Sequence, residues 1–391
     1  LELGRQLQDA SPVLKNLAEQ LRRVSEAQAG VGSIDLRPLP IRIEELARSV
    51  DIMVSSVSGN ELPMRFQGLG MRSLAALMVF RAVCELRVGA DQGLRPHILT
   101  LLEEPEAHLH PQAQAAVRAL VEDLPGQPVV ATHSDVLIAA TDPRNVRVFR
   151  VNETGTQIHT LTLDQAKKLA VFRRFVERPL GELFFARFVV FVDGTAERIS
   201  LPSMLNGPLG RSCTANGITV VDLEGMSRVQ LQKAVEALSA LGDIPWIVFL
   251  DNDASGWDAI KDLKGTDGVE LSSGHSQVVV TGDKQLEALL LASGFGDEVQ
   301  SVANELWPRT EDDPKFPELR LPEAYSDATH DSYLKFLAKN KGWAAEHVVR
   351  QAIANGKSMP APIVELARRI NDVLALTDAM DGRTSSTESA K

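Results

Sequence analysis

Residues 187–197 read RFVVFVDGTAE and residues 245–256 read PWIVFLDNDASG. Each is a run of five apolar residues that ends in carboxylates and a small-residue turn. Continuous apolar runs of this length suit strands buried on both faces. A helix is predicted after each, over 197–205 and 255–263. Two more strand–helix pairs belong to the same stretch: strand 218–222 with helix 227–241, and strand 277–281 with helix 284–292. Four repeats at this rhythm predict an α/β fold with a parallel sheet covered on both faces. The C-terminal ends of such strands form the crevice where ligands bind. Asp193, Glu197, Asp251 and Asp253 all lie at such ends.

Working outward, residues 3–24 set Leu3, Leu7, Leu14, Leu17, Leu21 and Val24 at helical spacing. A hairpin is predicted over 50–67 about Ser58-Gly59-Asn60, then a helix over 72–87. Strands are predicted at 97–102, 128–132, 146–151 and 157–163, with a helix over 111–124 that starts on Pro111. The expected organisation is a mixed α/β unit over 1–165, a linker helix over 166–186, the parallel-sheet unit over 187–295, a helical region over 296–376 and a disordered tail over 377–391.

The chain has 391 residues, with 41 Lys plus Arg against 52 Asp plus Glu, a formal net charge of −11. Bulk charge therefore argues against a protein that coats nucleic acid, unless a local basic surface or bound metal opposes it. The two cysteines, Cys84 and Cys213, form neither a disulfide framework nor a zinc cluster. No apolar run is long enough for a membrane span and no signal peptide is visible, so a cytoplasmic protein is expected. Beginning at Leu1, the chain reads as a piece of something longer.

Residues 98–111, ILTLLEEPEAHLHP, deliver Glu103 and Glu104 at a strand end, where carboxylates can hold Mg²⁺ and polarise a water. Strand 128–131 ends in Thr132-His133-Ser134. Upstream, Gly68-Leu69-Gly70-Met71-Arg72-Ser73 opens a helix whose N–H groups can face phosphate. In this order the three elements resemble the C-terminal lobe of an ABC-type ATPase of the DNA-repair and SMC-like branch. The resemblance implies nucleotide-binding roles for Gly68, Gly70 and Ser73 in the signature loop, Glu103 and Glu104 as the Walker B pair, and His133 as the switch histidine. Glu103 stands where the family usually has Asp. A P-loop is not found: Gly356-Lys357-Ser358 has its ending, but Gln351 stands where the first glycine belongs. ATP is then a cofactor of the intact protein, with no ATPase activity expected from this chain alone. The family's sites form between subunits, which implies a homodimer.

In the parallel-sheet unit, four carboxylates in one crevice repel unless divalent cations bridge them, and oxygen-only ligands suit Mg²⁺ or Mn²⁺. The plainer alternative is that the aspartates cap helices. Asp193-Gly194-x-x-Glu197 and Asp251-x-Asp253 resemble the Toprim domain, with Asp193 where the family usually has Glu. An ATPase lobe followed by Toprim resembles the OLD (overcoming lysogenization defect) nucleases, over about residues 50–375. That resemblance implies a metal-dependent DNA endonuclease with two ions. Asp251 would be shared between them, Glu197 would complete one site and Asp253 the other, with Asp193 and Glu287 as further metal ligands. It also implies a catalytic lysine, with Lys357 the candidate by position and Lys335, Lys339 and Lys341 as alternatives on a basic DNA-facing surface. A role in phage defence comes only through the family. Competing functions are an ATP-gated DNA-binding clamp with a degenerate Toprim domain, or a topoisomerase- or primase-like Toprim activity. A topoisomerase would need a nucleophilic tyrosine, and only Tyr325 and Tyr333 exist.

Overall fold

The computed structural model describes residues 15–16, 18–19, 31–38, 50–56, 61–90, 97–152, 155–172, 181–282, 285–306, 322 and 324–380. The chain divides into two compact units, Leu1–Thr141 and Asp142–Lys391.

In the first unit, strands β1 (Val31–Pro38), β2 (Val50–Ser56) and β3 (Glu61–Pro63) form an antiparallel sheet in that order. The 50–67 hairpin is present as β2–β3, with Val54 opposite Leu62; its Ser58-Gly59-Asn60 turn and most of the 3–24 helix lie outside the described residues. β1 was not expected, because VGSIDLRP mixes Gly, Pro and charge with only three apolar residues, Val31, Ile34 and Leu36. Helix α1 (Leu69–Ala90) starts three residues earlier than its periodicity predicts. Strand β4 (Leu99–Glu103), helix α2 (Pro111–Glu122), strand β5 (Gln127–Ala131) and helix α3 (Asp135–Ala140) follow. β4 and β5 pair in parallel, Glu103 opposite Ala131. Leu74, Met78, Val117 and Leu120 bury the α1–α2 contact.

The second unit opens with the antiparallel hairpin β6 (Arg147–Asn152) and β7 (Gly155–Thr160), then helix α4 (Leu163–Phe172) and the short α5 (Gly181–Phe185). The two compact units divide at residue 141, whereas the sequence reading set its boundary at 165. The reason is local: Arg150 Nε donates to the Leu241 carbonyl at 3.2 Å, and the His159 ring lies 3.0 Å from where a Cβ on Gly242 would stand. Strand alternation reveals a hairpin, but not which core it joins.

Next come β8 (Phe188–Val192), α6 (Thr195–Leu209), β9 (Ile218–Asp222), α7 (Arg228–Ala240), β10 (Trp246–Leu250), α8 (Ala254–Ile260), β11 (Val278–Val280) and α9 (Leu286–Ala292). The four strands are all parallel, in the order β11-β10-β8-β9. Every residue of β8 and β10 is buried, as the apolar runs predict. Phe188, Val190, Val192, Ile247 and Phe249 face one core, shared with Leu201, Met204 and Leu205 of α6. Each such side chain contributes roughly 1.5–3 kcal/mol by leaving water.

The same core takes in helices α10 (Gly296–Leu306), α11 (His330–Lys339), α12 (Trp343–Ala354) and α13 (Ala361–Met380), through Val299, Phe336, Val348, Leu366 and Ile370. The helical region is therefore continuous with the sheet unit's core. α13 runs to Met380, so the first four residues of the expected tail are helical; 381–391 lie outside the described residues.

Candidate functional site

β8, β9 and β10 lie side by side in parallel, so their C-terminal ends share one edge of the sheet. Asp193 follows β8, Asp222 ends β9 and Asp251 follows β10. α6 opens two residues after Asp193 and sets the buried Glu197 in its first turn. The N-cap Gly194 has an extended φ of −152°, so its glycine is needed for space and not for a left-handed turn. A Cβ there would come within 3.2 Å of Glu197 Oε2.

Asp193 Oδ1 accepts the Met226 N–H, and the Asp193 carbonyl accepts from Gly225 at 2.9 Å. Asp193 therefore also fixes the turn after β9. Asp253 is the N-cap of α8, with Oδ1 accepting from Gly256 N at 2.8 Å. A capping role for this exposed residue is real and leaves its second oxygen available as a ligand. A Cβ on Gly256 would run into the Asp251 carbonyl, so this glycine lets the first turn of α8 close against Asp251.

Electrostatics ties the carboxylates together. Burial first, then the charge of Asp251, and further those of Glu287 and Asp193, push Glu197 up to about 8. Burial, then Asp193, Glu287 and Asp253, push Asp251 up to about 7, with Lys341 acting in the opposite direction. Glu287 is buried in the first turn of α9, and its Oε1 has no hydrogen-bond partner. Asp193, Glu197, Asp251, Asp253 and Glu287 are thus brought into mutual range. They do not converge: among the described residues no group of three or more His, Cys, Asp or Glu is arranged to hold a metal ion.

Lys357 is not part of this group. Its Nζ donates to Glu298 Oε2 at 2.6 Å and to the Gly294 carbonyl at 2.7 Å, and lies over the Phe295 ring. Glu287 lies in the first turn of α9, whereas Gly294 stands two residues beyond that helix's last residue, Ala292. Burial opposes the charge of Glu298, but the hydrogen bonds from Lys357 and Asn355 hold its carboxyl below the usual range. The lysine whose charge reaches Asp251 is Lys341, in the turn before α12. Gly342 seats that turn: it has φ +81°, and a Cβ there would meet Ile199 Cδ1 at 2.8 Å and Thr195 Cγ2 at 3.2 Å in the first turn of α6.

Sequence reasoning missed Asp222. It is buried, accepts from Thr195 Oγ1 at 3.2 Å and from Glu224 N at 2.7 Å, and stands 3.9 Å from Arg198 Nε. The signal was present, since ITVVD over 218–222 ends in a carboxylate like its two neighbours.

In the first unit, the parallel pairing of β4 and β5 brings Glu103, Glu104 and His133 to one strand end. Glu104 Oε1 and His133 Nε2 are 3.9 Å apart and both side chains are exposed. The buried Glu106, also missed, accepts from Thr132 Oγ1 and from His133 N at 3.2 Å. Of the loop glycines, Gly68 is exposed with open space around it, whereas a Cβ on Gly70 would meet the His108 carbonyl. Ser73 lies in α1, one turn in.

Comparison with known proteins agrees with both units. Residues 5–138 match the family model described as an AAA ATPase domain. Residues 184–253 match the model of the overcoming lysogenization defect protein-like TOPRIM domain. The second match spans Asp193 to Asp253 and stops before Glu287 and Lys341. The OLD nuclease of Thermus scotoductus is 27% identical over 209 residues, which is 51% of this chain and 37% of that protein. The uncharacterized protein YbjD of Escherichia coli is 24% identical over 227 residues, 54% of this chain and 38% of its own. The chain thus spans less than two-fifths of the length of these curated relatives. Among solved structures, the C-terminal region of the Xanthomonas campestris pv. campestris OLD protein is 24% identical with a TM-score of 0.37, over 50% of this chain and 97% of that one. The chain thus carries a match to an AAA ATPase domain followed by a match to an OLD-like Toprim domain, and it is distantly similar to OLD nuclease.

Proposed function

We propose that the second unit is a divalent-metal-dependent DNA endonuclease whose centre is the carboxylate cluster at the C-terminal edge of the parallel sheet. The observation that carries this reading is the crowding of Glu197 and Asp251, raised to about 8 and about 7 by burial and neighbouring carboxylates, with a backbone hydrogen bond opposing the shift of Glu197 and the charge of Lys341 opposing that of Asp251. Carboxylates placed for stability alone are paired, as Glu298 is with Lys357. The orphaned, buried Oε1 of Glu287 fits the same account, since a bound cation would supply its missing partner. The donors are all oxygen, which favours Mg²⁺ or Mn²⁺.

Asp251 would be shared between two sites, with Glu197 completing one and Asp253 the other, and Asp193 and Glu287 at the margins. Two divalent ions, if held by these carboxylates, would supply an activated water for attack on phosphorus and positive charge for the departing 3′-oxygen. The protein's own groups do the rest. Lys341 offers positive charge beside Asp251, where an arriving phosphate must overcome the field of the carboxylates. Asp222 orients Thr195 and so the first turn of α6, which aims Glu197. Lys357 holds Glu298 and the start of α10 in place, and is assigned to the fold rather than to the reaction. Glu104, His133 and the Gly68–Ser73 loop form part of an ATP site, completed between two copies of the intact protein on DNA.

Supercoiled plasmid incubated with Mg²⁺, Mn²⁺ or EDTA tests this. Nicking is expected with either metal and none in EDTA. Asp251→Ala and Asp253→Ala should each lower the rate by roughly a thousandfold. Unchanged nicking in both variants would remove the cluster from the reaction.

A further inference from the structure

α12 begins with an arrangement that neither the fold nor the carboxylate chemistry requires. Trp343, its first residue, is 44% exposed. Its ring stacks on His347 with centroids 3.8 Å apart and planes at 29°. Trp343, His347 and Arg350 fall at i, i+4 and i+7, so they share one face of α12. Just before them stands the exposed Lys341, whose carbonyl accepts from Trp343 N at 3.1 Å. Lys335 and Lys339 are exposed and four residues apart on α11, the helix before this turn, while Arg350 is partly neutralised by Glu346 at 2.6 Å. Gly342 anchors this corner to Thr195 and Ile199, the helical turn that carries Glu197. A half-exposed indole braced by a second ring is therefore held at the rim of the carboxylate cluster.

We propose that Trp343, braced by His347, is a stacking platform for an unpaired nucleobase next to the phosphate that Lys341 receives, so that the site favours DNA with single-stranded character at the cut. This rests on the nuclease reading and narrows its substrate. The reasoning is chemical. Aromatic faces beside lysines bind single strands by stacking, which every base offers. In a duplex those base faces already stack on one another, leaving only edges and backbone to a protein. A rigid stacked pair of rings also loses little side-chain freedom when a base lands on it. Lys335, Lys339 and Lys341 would meet the phosphates of the same strand.

The test separates binding from cleavage. Fluorescence anisotropy in EDTA measures the affinity of the whole chain for a labelled oligothymidylate of about twelve nucleotides, within the usual site size of such surfaces, and for a hairpin duplex of equal length. Trp343→Ala should weaken oligothymidylate binding by about tenfold, the loss of one stacked base, and leave the duplex unchanged. Trp343→Phe should stay within about twofold of wild type, since the ring is retained. Thermal unfolding of each variant checks that this exposed position has not cost the fold. Oligothymidylate binding unaffected by Trp343→Ala, or an equal loss for duplex, overturns the platform while plasmid nicking by the wild type leaves the nuclease reading standing. A wild-type chain that neither nicks plasmid nor binds either DNA overturns both.

Discussion

Glu197 and Asp251 are held in a state that costs the metal-free protein stability. Their ordinary values lie near 4, and burial with neighbouring charge raises them to about 8 and about 7. The folded chain therefore binds more protons than the unfolded chain between those limits. Its stability falls as pH rises through that window. The expected outcome is a Tm in EDTA that drops steadily from about pH 5 to pH 8. Mn²⁺ should restore more of it at pH 8 than at pH 6, because only the ionised cluster takes a cation. Asp251→Asn should raise Tm in EDTA at pH 8, read by differential scanning calorimetry, while abolishing nicking, read by plasmid relaxation. A variant less stable than wild type under those conditions would mean that Asp251 is a structural residue. Sequence alone placed these carboxylates, because apolar strands ending in acid leave few other arrangements. It did not show that they stop short of convergence, since no spacing records burial.

At the scale of elements, the two lysines before α12 and before α13 differ in what they reach: Lys357 meets Glu298 and the Gly294 carbonyl, while the charge of Lys341 acts on Asp251. Position relative to Asp251 favoured Lys357, but the α9–α10 corner captures it through Glu298 and the Gly294 carbonyl. Lys341 reaches the cluster because Gly342 lets the turn settle on α6, a contact decided by a positive φ and a missing Cβ. Neither fact is written in the spacing of charges. The contrast is measurable. Lys357→Ala leaves a buried Glu298 without its cation and should destabilise the fold by about 3 kcal/mol, seen as a lower urea midpoint, with nicking per folded molecule unchanged. Lys341→Ala sits on an exposed turn and should change the midpoint little, within about 0.5 kcal/mol, while lowering nicking tenfold or more. The opposite pattern would return the catalytic role to Lys357.

For the whole molecule, the division falls at residue 141, and among the described residues the large core of the second unit draws on residues 188–374. A chain of residues 142–391 should fold by itself, with a cooperative thermal transition, and nick DNA with the same metal dependence. Loss of folding in that fragment would show that the second unit depends on residues 1–141. The parallel sheet and its carboxylate edge were legible because continuous apolar strands admit one architecture. The 147–160 hairpin, which the sequence reading grouped with residues 1–165, packs on a carbonyl at Leu241 and a glycine at 242, almost a hundred residues away, and spacing does not show such partners. The net charge of −11 argued against a nucleic-acid partner, yet part of that acidity stands in a cluster that a cation would invert. Crystals of the chain soaked in Mn²⁺ and measured for anomalous scattering test this most directly. The account predicts a peak within coordination distance of Asp251 and shared with Glu197. Manganese bound elsewhere, with none at Asp251, would contradict it.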